Sequence, residues 1–320
     1  MLSRVADSLF WIAQNMERAD SMARLLSVRL VSILENQDPL LGTENDWKEV
    51  IEITSNKEDY QALYAQYDRD SVIQYVAFSK ENSNSIYSCI TIARENAKMI
   101  REMIPIELWE VINELYLEIK KFSFSIVRTE ELNNYFKSIN EKYFLFQGII
   151  SGLMSREEGY LFIVFGKYLE IIRKLSRTLD VYYNQKRTER FDKEGIHYHY
   201  WSSVLSSLSG YDSYIQKYQA SMDPVKIVNY LLFDDSLPRS VSYSVQQLVH
   251  AFQTLEHKQV NVYAENLYTV LEELNKEVCY SSVEQLPDSL HEYCQRLQSL
   301  CDSIGIAIIE TYYLGEISSR

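Results

Sequence analysis

Glycine and proline are scarce in this chain, nine and five in 320 residues. Turn-dense folds such as β-sandwiches need these residues at every corner, so their scarcity argues against that class. No run alternates apolar and polar residues between turn signals, so no strand is expected. Cysteine is thin as well. Cys89, Cys279, Cys294 and Cys301 make no C-x-x-C pair, and reduced thiols in a cytoplasmic protein are the expectation. No stretch approaches the ~18 uncharged apolar residues of a membrane helix. The N-terminus has no basic region leading into an unbroken apolar run, so no signal peptide is read there. Net positive charge is missing too. The formal charge is −13, which excludes non-specific binding to nucleic acid or anionic lipid. Finally, there is no G-x-x-x-x-G-K-[ST], G-x-G-x-x-G, H-E-x-x-H or G-x-S-x-G. Nothing supports a nucleotide site made by this chain alone, and no cofactor is expected.

What is present reads as helix. Apolar content of 46% and charged content of 24% are those of a globular protein. The 25 tyrosines fall largely at helical spacing, as rims of core packing. The first thirty residues, MLSRVADSLFWIAQNMERADSMARLLSVRL, hold no Gly or Pro and are rich in good helix formers. At about 100° per residue their apolar side chains cover every side, the mark of a buried helix. Yet the segment carries Arg4, Asp7, Glu17, Arg18, Asp20, Arg24 and Arg29. Buried charges persist only when paired, so these residues must lie in polar seams. Glu17 and Arg18 point about 100° apart and cannot grip one partner side by side.

Downstream, Gln37-Asp38-Pro39 and Gly42 break the first helix. Further helices are expected over about 46–68, with Trp47, Val50, Ile51, Leu63 and Tyr67 in the core, and over 70–78. A long helix capped by Asn82-Ser83 runs towards Pro105, which opens the next one. More follow from about Glu130 to Met154, from Glu158 to Gln185, and over His197–Tyr218. Asp223-Pro224 starts another, Pro238 the next, and two more cover about 261–278 and 286–313. The tail 314–320 is expected to fray. The fold class is all-α, a single large multi-helix bundle over 1–320. Offset by 153, Glu17 falls on Glu170 and Arg24 on Arg177, which suggests two pseudo-repeated halves, 1–154 and 155–320.

Candidate chemistry is sparse. Glu194 and His197 make a lone E-x-x-H beside His199, where a di-iron bundle needs two such motifs and two further carboxylates, so no metal site is expected. His250 and His257, seven apart, could share a helix face. Ser240 lacks a His and an acid at recognisable spacing. The strongest polar set is Arg4, Glu17, Arg18, Arg24, Arg94, Asn96, Arg101, Glu170, Arg177 and Arg239. An arginine excess in an acidic protein suits one cavity for a carboxylate or phosphoryl group, with Glu17 as the candidate general base. Structural ion pairs with neighbours such as Asp20, Glu95 or Glu102 are the competing reading.

Several of these residues also carry a resemblance. Ser3-Arg4 with Ala6 and Phe10-Trp11, Met16-Glu-Arg-Ala-Asp20 and Arg24-Leu-Leu26 are similar to the opening block of the bacterial alpha-E family, named for a helical fold and a Glu-Arg motif. Ala93–Asn96, Arg101-Glu102 and Trp109–Asn113 resemble its second block. Gly159, Phe162, Gly166 and Glu170 resemble a third, and Phe233-Asp234 with Leu237–Val241 a fourth. A second Glu-Arg pair is expected in the third block, where Ile171 follows Glu170 instead. The resemblance implies partnership with circularly permuted ATP-grasp proteins, and with transglutaminase-like peptidases. It thus implies a part in making or modifying a peptide or amide-linked product. On that basis the chain is an accessory or substrate-binding component, an amide-forming enzyme or transferase in its own right, or a purely structural subunit.

Overall fold

The structure is a computed structural model that describes residues 3–35, 44–54, 57–122, 128–185, 194–219, 221–257, 260–280 and 282–312. Among these residues the regular structure is helical throughout, with no strand. The α-helices in chain order are α1 (Ser3–Glu35), α2 (Glu44–Thr54), α3 (Lys57–Gln61), α4 (Arg69–Ile73), α5 (Ile86–Met99), α6 (Ile106–Lys121) and α7 (Thr129–Leu153). They continue with α8 (Glu158–Gln185), α9 (Glu194–Ser207), α10 (Tyr211–Tyr218), α11 (Pro224–Phe233), α12 (Val241–Leu255), α13 (Glu265–Glu277) and α14 (Leu290–Tyr312).

The chain groups into two compact units. One comprises residues 15–154 and 191–209, the other residues 1–14, 155–190 and 210–320. They differ from halves cut at 154/155 in the placement of 1–14 and 191–209. In the first unit α5 packs on α6 and α6 on α7, while α2 lies against α3 and α4. The sequence dictates that contact in α6, where Leu108, Val111, Ile112, Leu115 and Ile119 form one buried stripe at helical spacing. In the second unit α8 is the hub, packed along both α12 and α14, with α13 against the same two helices.

α1 is the buried helix that its composition demands: among residues 3–32 only Arg4 is exposed. Within the second unit its first turns meet α8 at Gly166. A Cβ built there would stand 2.2 Å from the carbonyl oxygen of Phe10 and 3.1 Å from the backbone nitrogen of Gln14. Only glycine lets the two backbones approach so closely.

Several boundaries differ from the sequence expectation, each for a local reason. Ser85, not Asn82-Ser83, caps α5, its hydroxyl accepting from the Ser88 amide. Asn82 instead ties the preceding turn to the Tyr75 carbonyl at 3.1 Å. α5 stops at Met99, because Ile100 leaves helical geometry and a 3-10 turn over Arg101–Met103 follows. Pro105 is the cap of α6 rather than its first residue. The helix expected over His197–Tyr218 is broken between α9 and α10, where Ser209 has a φ of +59°. Ser240, not Pro238, sits at the start of α12. Leu63 is 52% exposed and no core residue, whereas Asp223-Pro224 caps and opens α11 as read. The tail from 314 and the interhelix stretch 36–43 lie outside the described residues.

Candidate functional site

The Glu-Arg dipeptide of α1 lies in the first unit, against α7. Glu17 and Asp20, one turn apart on α1, are both fully buried carboxylates. Opposite them, Asn140 and Tyr143 stand one turn apart on α7. The Tyr143 hydroxyl donates to Glu17, and Ser21 donates to its other oxygen at 3.2 Å. Asn140 donates to the Asp20 carboxylate at 2.7 Å and to its main-chain carbonyl at 3.0 Å. Arg24 closes the row from one turn further on. It reaches both Asp20 oxygens, at 3.0 and 3.2 Å, and lies over the Phe144 ring at 5.5 Å. Two buried charges are thus held by two hydroxyls, an amide and a guanidinium, the condition under which burial is tolerated.

Arg18 points elsewhere, as its position next to Glu17 requires, and donates to the Asn84 side chain at 2.7 Å. Further along α1, the buried Arg29 pairs with Glu49 at 2.7 Å and Asp46 at 3.6 Å on α2. This is a structural clamp between helices, and Arg29 was absent from the candidate anion set.

A second group forms on α5 and α6. Arg94 and Arg101, seven apart, share the indole of Trp109, at 5.7 and 5.4 Å from its centroid. Arg94 also lies 4.8 Å from the Tyr116 ring, donates to Asn113 at 3.2 Å and pairs with Glu95 at 2.5 Å. Arg101 is exposed. Asn96 only bonds back to the Ile92 carbonyl on its own helix.

The remaining candidates belong to the second unit. Arg4 is exposed on the first turn of α1. Glu170 is fully buried on α8 and meets Arg173 at 3.4 Å, one turn on, and Arg173 continues to Asp302 of α14 at 2.7 Å. Arg177 and Arg239 are half-buried, Arg239 immediately before the Ser240 cap. The Ser240 hydroxyl accepts from the Tyr243 amide at 3.0 Å and is used as that cap. The candidate set therefore divides. Arg4, Glu170, Arg177 and Arg239 lie in one unit; Glu17, Arg18, Arg24, Arg94, Asn96 and Arg101 lie in the other.

Sequence reasoning missed Tyr143, Asn140, Tyr116, Arg173 and Asp302 as partners. The seven-residue spacing of Trp109 and Tyr116, matching that of Arg94 and Arg101, was the available signal for one of them. Arg173 was also legible, as an i,i+3 partner of Glu170 on one helix, whereas Asn140, Tyr143 and Asp302 are met across more than a hundred residues. His257 lies beyond the end of α12 with a φ of +50°, so it does not share a helix face with His250. The Glu194 and His197 side chains lie outside the described residues, and His199 is exposed. Among the described residues no three His, Cys, Asp or Glu groups come together as a metal site. Burial pushes the Cys301 thiol up to about 12 and raises that of Cys294 as well, so neither is a nucleophile. No helix among the described residues is long and apolar enough to cross a membrane.

Two helical units, each with a fully buried glutamate on a long helix, define an all-helical protein with carboxylates bound into its packing at those two positions. The family model of Alpha-E, described as a predicted alpha-helical domain with a conserved ER motif, matches residues 1–313. The chain belongs to the Alpha-E family. Neither the curated proteins nor the solved structures contain a match to it. The chain holds two Glu-Arg dipeptides; Glu17-Arg18 is the one described above, and Glu189-Arg190 lies outside the described residues.

Proposed function

We propose that this chain is a binding module rather than a catalyst. In this reading it is an accessory component of a bacterial ATP-grasp-linked system that makes or modifies a peptide or amide bond. The supporting observation is the pair Arg94 and Arg101 around the Trp109 indole. Arg101 is exposed, and among the described residues no carboxylate lies within ion-pair distance of it. The Arg101 guanidinium, resting on the aromatic face, keeps its fork of N–H donors for a carboxylate while the ring fixes its position, and Arg94, already bonded to Asn113 and Glu95, adds positive charge beside it. That suits a module that holds an acidic substrate or growing peptide while the partner activates a carboxyl group. The partner is a circularly permuted ATP-grasp protein, with a transglutaminase-like peptidase as a second associate. The Glu17 carboxylate, bonded to Tyr143 and Ser21, serves the packing of α1 on α7 in this account.

The test is co-purification of the full chain with the ATP-grasp protein of its own genome, followed by an assay for ATP-dependent amide formation. Wild type is compared with the double variant Arg94→Ala/Arg101→Ala and with Arg18→Ala. The proposal expects a complex, and loss of amide formation in a double variant that stays folded at the assay temperature with a modestly lowered thermal midpoint. A well-folded wild type that forms no complex, or a double variant with full amide formation, would contradict it.

A further inference from the structure

We infer that the chain consists of two tandem copies of one seven-helix unit, α1–α7 and α8–α14. Helix order alone is weak support for a repeat. What carries the inference is that equivalent side chains make the same local bonds in both copies.

The clearest stretch runs from α3 to α5, matched by α10 to α12. Tyr60 and Tyr214 are both fully buried, and each hydroxyl donates to a main-chain carbonyl just past its helix: Gln66 at 2.7 Å and Ser221 at 2.7 Å. One turn on stand Tyr64 and Tyr218, with ring centroids 5.2 and 5.0 Å from the first ring. A third ring stands in both clusters, and among the described residues the first cluster alone adds Tyr67, stacked on Tyr60 at 4.9 Å. Tyr75 and Tyr230 meet the first ring edge-on at 5.2 and 5.5 Å, and the second at 6.1 and 5.8 Å. Asp68 caps α4, which runs on into the π-helical turn Gln74–Phe78 that carries Tyr75, and Asp223 caps α11, which carries Tyr230. Each aspartate accepts from the amides two and three residues ahead. The next helix is capped by Ser85 and Ser240, which accept from the amide three residues on at 3.1 and 3.0 Å. Each cap's own amide donates to the carbonyl three residues back, Asn82 and Leu237, at 3.0 Å in both.

The same register runs through the cores. Trp47, Val50 and Ile51 on α2 correspond to Trp201, Val204 and Leu205 on α9, all buried. Ile86, Ile90 and Ala93 correspond to Val241, Val245 and Leu248, and Leu108, Ile112 and Leu115 to Leu267, Leu271 and Leu274, again all buried. On the long helices Glu17 corresponds to Glu170.

The offsets separate a repeat from coincidence. Glu17 and Glu170 lie 153 apart, and Tyr60 and Tyr214 lie 154 apart. The separation is 155 for Ser85 and Ser240, and 159 for Leu108 and Leu267. The offset is constant within each helix and grows only across connections. Insertions accumulating in one copy would do this, because loops accept extra residues and packed helices do not. Chance likeness has no reason to keep register inside every helix. One consequence is functional. The residue equivalent to Arg18 is Ile171, so at this station the Glu-Arg dipeptide stands in the first copy alone. Asn84, which holds Arg18, corresponds to Arg239.

A crystal structure of the full chain tests this directly. Residues 57–99 are superposed on 211–254 with the register fixed beforehand by the tyrosine, aspartate and serine pairs. The inference expects all three tyrosines and both caps to coincide, side chains included. Helix paths that cannot be superposed in that register would overturn it. In solution, Tyr60→Phe and Tyr214→Phe remove the same bond from each copy and should lower the thermal midpoint of the full chain by matching shifts. A loss in one and none in the other would count against equivalence.

Discussion

Glu17 and Glu170 occupy the same station on α1 and α8, and both are fully buried. They are held by different chemistry. Glu17 receives hydroxyl hydrogen bonds from Tyr143 of α7 and Ser21. Glu170 meets Arg173, which hands on to Asp302 of α14. The side chains at matching positions differ: Asp20 on α1 stands where Arg173 stands on α8, and, at an offset of 161, Tyr143 on α7 stands where Ile304 stands on α14. A buried carboxylate is thus retained at both stations while these neighbours differ. What the packing requires is a satisfied charge, and several donor sets satisfy one.

The comparison can be broken most severely at Gly166, whose counterpart in α1 is Ala13. A methyl group at 166 meets backbone, which cannot rotate away, so Gly166→Ala should lose about 3 kcal/mol by overpacking. Ala13→Gly, at a fully buried helical position, should lose only about 1 kcal/mol. Chemical denaturation of the two variants checks the contrast. Next comes Tyr143→Phe. It removes a donor from a buried carboxylate, and should lower stability by about 2 kcal/mol.

The caps come third. Ser240→Ala removes one hydroxyl acceptor from a helix N-terminus, at an expected loss of about 1 kcal/mol. Ser85→Ala removes the same cap and also the bond to the buried Ser79 carbonyl at 2.5 Å, so it should lose about 2 kcal/mol. A loss in one alone would break the likeness between the caps.

The smallest effects are electrostatic. Partial burial tends to raise the Asp68 carboxyl, but the Ser71 hydroxyl and the Ser71 and Asp70 amides hold it below its ordinary value. Its contribution is therefore present above the ordinary aspartate range and is lost as pH falls through the lowered folded value. Asp7 behaves oppositely. Burial raises its carboxyl more than the Trp11 bond lowers it. The folded state then holds the proton more tightly, and stability falls as pH rises from the ordinary range through the raised value. Asp7→Asn should flatten that slope in an acid titration of the thermal midpoint, and Asp68→Asn should flatten the opposite one.

Much of the fold was legible in the sequence because it is locally determined. The unbroken apolar girth of residues 4–30 dictates a buried helix, and Asp223-Pro224 punctuates α11 without help from elsewhere. Caps were less legible where two candidates compete. Asn82 and Ser85 are both good cap residues, and the turn drawn in by the Tyr75 carbonyl decides for Ser85. The polar centre was half legible. The charges on α1 announce themselves, but Asn140 and Tyr143 lie on a helix more than a hundred residues away, and nothing local marks them as partners. The pairing of Arg94 and Arg101 on one face followed from their spacing, whereas the aromatic rings beneath them belong to the next helix. The repeat was visible in the sequence at one offset only, because its register drifts from 153 to 161 as connections lengthen.

The central claim is that the buried carboxylates build the protein while the Arg94–Trp109–Arg101 face binds. Glu17→Gln tests it most directly, read in parallel by thermal midpoint and by the ATP-dependent amide formation that the proposed function expects with an ATP-grasp protein. The carboxamide oxygen of that variant can still accept from Tyr143, so the account predicts a lowered midpoint and, below it, amide formation at the wild-type rate. A variant with the wild-type midpoint and no amide formation would contradict the account and make Glu17 the catalytic base.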